Sequence, residues 1–206
     1  MSEPVEILDQ ALASVAPVLL AGGYKKSGRN FVALGDGVAR VVQFQTSQLK
    51  KPEEASFTFN LLVTSVSFYE AYADAPFPKN VASAEPVVSA GIGRLMPDGE
   101  AIWWSLDPRV SGALIAKEAL ALLQERALPF LARFESEEAL LRELDSGADL
   151  PGFSAMRERC RAVLLAKRGK KAEAGKVLAA LVEANSGEAL EGFRDSVNQL
   201  ARRLGV

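Results

Sequence analysis

Histidine is absent from this chain of 206 residues, and cysteine occurs once, at Cys160. Without histidine the chain cannot form a Ser-His-Asp or Cys-His nucleophilic arrangement, and it lacks a usual zinc ligand. A single cysteine also excludes an internal disulfide framework. Cys160 falls on the apolar stripe of a predicted helix, where a thiol usually packs as a small hydrophobic side chain. We therefore expect no metal site and no cofactor.

Long apolar runs and a strong net charge are missing as well. The apolar runs are too short to cross a bilayer, and a net charge of −2 gives no general attraction to nucleic acid or acidic lipid. The first residues, MSEPVEILDQ, are acidic and carry no secretory or transit pattern. With 49% hydrophobic residues the chain can build an ordinary core. These features predict a cytoplasmic protein without a membrane segment.

Alternating polar and apolar residues over 31–66 predict a sheet around which the rest is built. The runs FVAL and VARVVQFQTS are joined by a Gly35-Asp36-Gly37 hairpin turn, and SFTFNLLVTSV follows the charged segment QLKKPEEA. Alternation sorts these side chains onto two faces of the sheet. The apolar face would contain Val42, Phe44, Phe57, Phe59, Leu61 and Val63. The polar face would contain Gln43, Gln45, Thr58 and Asn60.

Helical spacing precedes the sheet and more strands follow it. Apolar residues from Val5 to Leu19 predict a helix that ends at Gly22-Gly23, covers the apolar face, and kinks or breaks before Pro17. The segment YKKSGRN reads as a solvated basic turn. Further on, VVSAGIGRLM predicts a strand whose Gly91 and Gly93 indicate either a bulge or another backbone approaching closely. AIWWSL is its return strand, with Trp103 and Trp104 on opposite faces.

The last third of the chain has only helical patterns. Ser136 is a predicted N-cap, Gly169 ends one helix, and Ser186 is predicted to cap the last one. The break GADLPG suggests a boundary between an α+β domain (1–149) and a helical subdomain (150–206). The predicted fold is α+β, an antiparallel sheet of about four or five strands packed on helices, with a C-terminal helical attachment.

Two resemblances follow from these segments. The order GGYKKSGRNF, VVQFQTS, FTFNLLV, GIGRL, IWWSLD and ALPFL resembles the bacterial domain-of-unknown-function family 4304 over roughly residues 5–134. Tyr24 stands where that family more often has Phe. The resemblance implies an α+β domain and assigns no activity. The helical pair RAVLLAKRGKKAEAGKVLAAL resembles a single tetratricopeptide-like hairpin.

The polar sheet face is the candidate binding surface. It combines Gln43, Gln45, Thr58 and Asn60 with Arg94 and one of the tryptophans, Trp103 or Trp104. Amides could hydrogen-bond a peptide or small polar ligand, an aromatic ring would add contact area, and a guanidinium could bind an anion. The face could instead be the ordinary wet side of a sheet. In a third interpretation the amides hydrogen-bond each other beneath a covering loop.

Two other functions stay open at this point. Eight basic residues between Arg157 and Lys176 could bind nucleic acid, but no aromatic residue interleaves with them, and the acids of 135–149 are a nearby counterpart. A hydrolase or transferase without histidine would need at least two acids close together, such as Glu100 and Asp107, or an acid beside Arg94. We expect instead a non-catalytic adaptor that presents the polar face, or a groove between sheet and helices, to a peptide or protein.

Overall fold

A computed structural model describes residues 4–47, 55–107 and 109–206. All but Ala55 of the charged segment QLKKPEEA therefore lies outside the described residues. The strands are β1 Lys25–Ser27, β2 Asn30–Gly35, β3 Val38–Thr46, β4 Ser56–Ser65, β5 Val88–Gly91 and β6 Trp104–Ser105. The α-helices are α1 Pro4–Ala21, α2 Val66–Ala73, α3 Gly112–Leu122, α4 Leu128–Ala132, α5 Glu137–Asp145, α6 Ser154–Lys167, α7 Lys171–Glu183 and α8 Glu191–Leu204.

The strands form one six-stranded antiparallel sheet, and the chain is α+β as predicted. The strand order in the sheet is β1-β2-β3-β4-β5, and β6 also pairs with β4. The predicted hairpin turn between β2 and β3 is confirmed, because Asp36 and Gly37 have φ of 46° and 78°. Two adjacent residues with positive φ give the turn the twist that a tight hairpin needs.

Aromatic side chains fill the apolar face of the sheet. Phe44 packs on Phe57 and Phe59 at ring-centroid distances of 6.1 and 5.5 Å. Trp104 stacks on the same two strand residues at 5.2 and 5.6 Å. All four are buried, so the predicted apolar face is confirmed. Each ring of this size removes a large apolar area from water, which makes the cluster a main source of stability.

The first helix agrees with its predicted spacing, with one difference. α1 ends before Gly22 as predicted, but it runs through Pro17 without a break. It packs on α3 and β1, and its packing on the apolar face of the sheet stays a prediction. A second helix, α3, continues before Pro129 into a π-helical turn, Leu123–Ala127. The missing proline N–H and the bulk of its ring account for that change.

One predicted turn and two predicted strands need correction. The segment YKKSGRN is not wholly a turn, because Lys25–Ser27 form the exposed edge strand β1 paired to β2. The strand over VVSAGIGRLM stops at Gly91, and Ile92–Leu95 form a 3-10 turn. The return strand AIWWSL is reduced to β6, which pairs with β4. Such short pieces carry too little alternation to be recognised from sequence.

The C-terminal helices follow their predicted stripes. Ser136 caps α5 through its hydroxyl, which accepts from Ala139 N at 3.1 Å. Cys160 is fully buried in α6, and burial raises the pKa of its thiol well above the ordinary value. The prediction for Ser186 is wrong, because α8 begins only at Glu191, after a 3-10 turn. α6 and α7 pack together as a helical hairpin, and its likeness to a tetratricopeptide unit stays a prediction.

By their contacts the residues fall into two compact units. The first contains 1–34, 40–62 and 89–133, and the second contains 35–39, 63–88 and 134–206. The predicted boundary between 1–149 and 150–206 stays a prediction.

Candidate functional site: a polar cavity on the sheet

Two β4 residues of the predicted polar face form the floor of a cavity. Thr58 is only 5% exposed, and Asn60 is half-buried. Asn60 Nδ2 donates a hydrogen bond of 2.7 Å to Gln45 Oε1 on β3. This bond agrees with the third interpretation, in which the amides pair with each other. It also fixes the amide of Asn60, so that its nitrogen is engaged by Gln45.

A loop between β5 and β6, residues 92–103, forms the wall of the cavity. At Gly93 the backbones of the two ends of this loop are in close contact. A Cβ on Gly93 would stand 1.9 Å from Glu100 O and 2.8 Å from Ile102 N. No side chain fits there, which is why glycine is required. The sequence predicts this close backbone approach, although it places Gly93 on a strand rather than in a 3-10 turn.

The floor and the loop enclose a cavity of about 270 Å³. We call it the polar cavity. It is lined by two β4 side chains and by both ends of the loop, namely Thr58, Asn60, Gly91, Gly93, Arg94, Gly99, Ala101, Ile102 and Trp103. Three glycines among these residues leave room that side chains would otherwise fill.

The two tryptophans have different positions, as predicted. Trp103 lines the polar cavity and is 44% exposed, whereas Trp104 is 5% exposed in the aromatic cluster. Of the pair, only Trp103 is placed to contact a ligand in the cavity. Arg94 lies on the same lining, with Nη1 3.4 Å from where a Cβ of Gly99 would stand. Its guanidinium can only donate hydrogen bonds.

The structure thus brings together part of the predicted site. Thr58, Asn60, Arg94 and Trp103 line one cavity, whereas Gln43, Gln45 and Trp104 do not. Gln45 contacts the site through Asn60, and Gln43 is half-buried outside the lining. Sequence analysis missed Ala101 and Ile102. The signal that could have found them was the spacing of Gly91 and Gly93, which indicates a backbone passing close by.

A contrasting polar cluster surrounds Glu137 in the second unit. Its Oε1 accepts from Ser65 Oγ at 2.6 Å and from Ser67 N at 3.1 Å, and its Oε2 accepts from Lys167 Nζ at 2.7 Å. Burial raises the pKa of this carboxyl, but the hydrogen bonds from Lys167, Ser65 and Ser67 outweigh burial and hold the pKa below its ordinary value. The carboxylate therefore joins α2, α5 and α6, and its bonding capacity is used within the chain.

The basic residues of 157–176 are also largely engaged within the chain. Arg161 pairs with Asp145 at 2.6 Å, Lys167 pairs with Glu137, and Arg168 lies 4.0 Å from Glu138. The predicted counterpart, the acidic segment 135–149, is confirmed. The exposed pairs of Arg161 and Arg168 contribute little to stability, but all three pairs lower the net positive charge that a nucleic acid would meet.

Arg159 differs from these residues because it is buried. Its guanidinium carbon lies 5.3 Å from the Tyr72 ring centroid and 4.5 Å from that of Phe193, and Nη2 donates to Ser196 Oγ at 3.0 Å. Desolvation lowers the pKa of Arg159, and Tyr72 partly offsets that effect. The two rings stabilise the buried cation, and the arrangement joins α8 to α2 and α6.

A larger groove of about 500 Å³ lies along α6 and α7. Its floor is apolar, with Leu165, Val177 and Leu181, and charged residues such as Arg161 flank it. The groove lacks the neutral hydrogen-bonding side chains of the polar cavity. We therefore take the smaller polar cavity as the candidate site.

In the described ranges no group of acidic or thiol side chains is arranged to hold a metal ion. No helix in the described part of the chain has both the length and the apolar character that crossing a bilayer requires.

Fold and site together define an α+β domain with a small polar cavity on one face of its sheet. A family model described as Domain of unknown function (DUF4304) matches residues 15–133, and the chain belongs to that family. The resemblance predicted from sequence is confirmed, while a bacterial origin stays a prediction. No curated protein and no solved structure matches the chain.

Proposed function

We propose that this protein is a non-catalytic binding module whose polar cavity holds a short segment of a partner protein. The observation that supports it most is the convergence of Thr58, Asn60, Arg94 and Trp103 on one cavity of about 270 Å³. Typical small-molecule pockets are of about 300–1,000 Å³. A cavity just below that range fits one side chain of a peptide better than a whole cofactor.

The lining has the chemistry of a peptide site. It offers neutral hydrogen-bonding groups from Thr58 and Asn60, a guanidinium donor from Arg94, and an exposed indole from Trp103. Exposed tryptophan and arginine side chains supply much of the binding energy at protein interfaces. Neutral amides can pair with a peptide without the desolvation cost of buried charge.

The other hypotheses from the sequence stay predictions. A cytoplasmic location and a docking groove between sheet and helices rest on the sequence alone. A hydrolase or transferase without histidine would need carboxylates at its site, and the described lining of the polar cavity contains none. Nucleic-acid binding through 157–176 would have to compete with the ion pairs that these residues already make.

Selection from a random peptide library tests the proposal. Peptides that bind the wild-type protein should lose affinity by about 10-fold or more on Trp103→Ala and Asn60→Ala, a loss of about 1.4 kcal/mol or more. Leu34→Ala is the matched control, since Leu34 is 57% exposed and outside the cavity lining. If the selected peptides bind both cavity variants as tightly as wild type, the polar cavity is not the binding site.

A further inference from the structure

The chain from 101 to 105, AIWWS, borders the polar cavity and includes β6. On one side β6 pairs with β4, and no other described strand pairs with it. Residues 99–103 lead into β6 without a turn or a bend. The other side of this segment is therefore an edge of the sheet, where the backbone has no neighbouring strand to bond.

The hydrogen bonds of the sheet show which backbone groups face that edge. Ser56 on β4 lies opposite Ser105, but its N and O atoms bond to Ser47, which follows β3, at 2.9 and 2.8 Å. The bond that crosses from this segment to β4 joins Leu106 N to Ala55 O at 2.8 Å. Opposite residues of an antiparallel pair alternate between bonded and non-bonded pairs. The N–H and C=O groups of Ser105 therefore point away from β4.

The same alternation applies to the two odd-numbered residues before β6, Trp103 and Ala101. Their backbone groups face the same side as those of Ser105, since every second residue of a strand has the same orientation. None of these backbone groups bonds to a described residue. The side chains of Ala101 and Trp103 are exposed, and Ser105 is half-buried. The edge thus presents a row of donors and acceptors at the spacing of a β-ladder.

This edge lacks the features that keep the opposite edge of the sheet from pairing. β1 is three residues long and carries Lys25 and Lys26, and short charged edge strands resist the addition of another strand. The sequence AIWWS contains neither a charge nor a proline. In domains that bind peptides as an added strand, the backbone gives affinity and a pocket for alternate side chains gives specificity. Here the polar cavity lies beside the edge.

From this arrangement we infer that the partner segment binds by strand addition: an extended peptide pairs with the backbone of 101–105, and one of its side chains reaches the polar cavity. This inference rests on the proposed function and names the mode of binding. Trp103 lines the cavity, so the peptide side chain opposite it on the same face packs against the indole. Ala101 also lines the cavity, and its small side chain leaves the way from the edge to the cavity open.

N-methylation along a peptide selected from the library tests the pairing directly. Each substitution replaces one backbone N–H of the peptide by N–CH₃, which removes one donor. In an added strand every second N–H faces the protein, so we expect affinity losses of about 10-fold or more at alternate positions. The positions between should change little. Binding is measured by fluorescence anisotropy, and losses without a period of two overturn strand addition.

A proline at position 105 tests the protein side of the same contact. Because the N–H of Ser105 faces the edge, Ser105→Pro removes no bond to β4, and proline is tolerated at such positions of edge strands. We expect peptide affinity to fall about 10-fold or more. Lys26→Pro is the matched control, since Tyr24 N bonds to Leu19 O in α1 and Lys26 N–H points away from β2 in the same way. Equal affinity of both variants for the peptide overturns the inference.

Amide hydrogen exchange gives a readout that needs no variant. In the free protein the amides of Ala101, Trp103 and Ser105 should exchange quickly, and bound peptide should slow them about 10-fold or more. The amide of Leu106, already bonded to Ala55 O, is the internal reference. Unchanged exchange of the three amides in the complex overturns strand addition. Protection that rises with protein concentration without peptide would assign the edge to a second copy of the chain and overturn it as well.

The outcomes separate the two proposals. A peptide that shows no alternating pattern, yet loses affinity on Trp103→Ala, overturns strand addition and leaves the binding module in place. Peptide binding that ignores both Trp103→Ala and Asn60→Ala overturns the proposed function itself. An alternating pattern together with slowed exchange at Ala101, Trp103 and Ser105 supports the inference.

Discussion

Two polar clusters of this protein use their hydrogen bonds differently. Glu137 in the second unit receives bonds from Ser65, Ser67 and Lys167, so both carboxylate oxygens are engaged within the chain. Asn60 in the first unit makes one side-chain bond, to Gln45, and its oxygen lies beside the polar cavity. The first cluster stabilises the fold, and the second presents bonding groups outward.

This difference shows how a polar group with a structural role can be told from one that serves a ligand. A buried polar group without partners costs free energy, so a structural cluster satisfies its members internally. At the polar cavity, the close backbone contact at Gly93 keeps the cavity open. The polar side chains beside it are not what maintains the fold there. Substitutions at these positions test this separation, beginning with the one that should cost the most stability.

The cavity wall should be the most sensitive position. In Gly93→Ala the new methyl overlaps Glu100 O, a backbone atom that cannot move aside alone. We expect a loss of about 3 kcal/mol in the free energy of unfolding, measured by urea denaturation. Gly91→Ala should stay within about 0.5 kcal/mol. Equal stability of the two variants would contradict the close packing of the loop.

Removing the structural carboxylate should come next. Glu137→Ala leaves Ser65, Ser67 and Lys167 without their acceptor, and we expect a loss of about 2 kcal/mol in unfolding free energy. The control is Glu138→Ala, whose side chain is 74% exposed, with a change within about 0.5 kcal/mol. A similar loss in both variants would mean that the cluster is not structural.

The same carboxylate should make stability depend on pH. The pKa of Glu137 is held below its ordinary value of 4.5 in the folded chain, so the unfolded chain binds its proton first as the pH falls. Its contribution is present above pH 4.5 and is lost as the pH falls through the folded-state pKa. Unfolding curves of wild type and Glu137→Gln should converge below that range. A constant difference down to acid pH would argue against the assignment.

The smallest effect on stability should come from the cavity floor. Asn60→Ala removes one hydrogen bond to a partner that is exposed, Gln45. Water replaces that bond, so we expect a change of about 0.5 kcal/mol or less in unfolding free energy, although peptide binding falls. A loss as large as that of Glu137→Ala would make Asn60 a structural residue and remove the contrast between the clusters.

The sequence predicts those parts of the fold where a local pattern is strong. Alternation through Phe57 and Phe59 identifies the aromatic face, and Ser136 identifies a helix start because its side chain can bond a backbone N–H. Ser186 offers the same chemistry, but α8 begins only at Glu191, because a 3-10 turn intervenes. A residue that can cap a helix indicates that a helix starts nearby. The conformation of the local backbone decides at which residue the helix starts.

From the sequence, the candidate site could be predicted only as the polar face of the sheet and not as a cavity. Thr58 and Asn60 follow from alternation, and Trp103 from its separation from Trp104. The cavity itself depends on the chain leaving the β4 edge after Gly91 and returning at Trp104. That path is set by tertiary packing at Gly93, which no local pattern encodes. The Glu137 cluster was missed for the same reason, since its partners are distant in sequence.

The most direct measurement follows the indole N–H signals of the two tryptophans by ¹⁵N NMR during titration with a selected peptide. Trp103→Phe assigns the signals. We expect a saturable shift of the Trp103 signal while that of Trp104, buried in the aromatic cluster, stays in place. A bound peptide that leaves the Trp103 signal unmoved, or that shifts Trp104 equally, would contradict a binding site in the polar cavity.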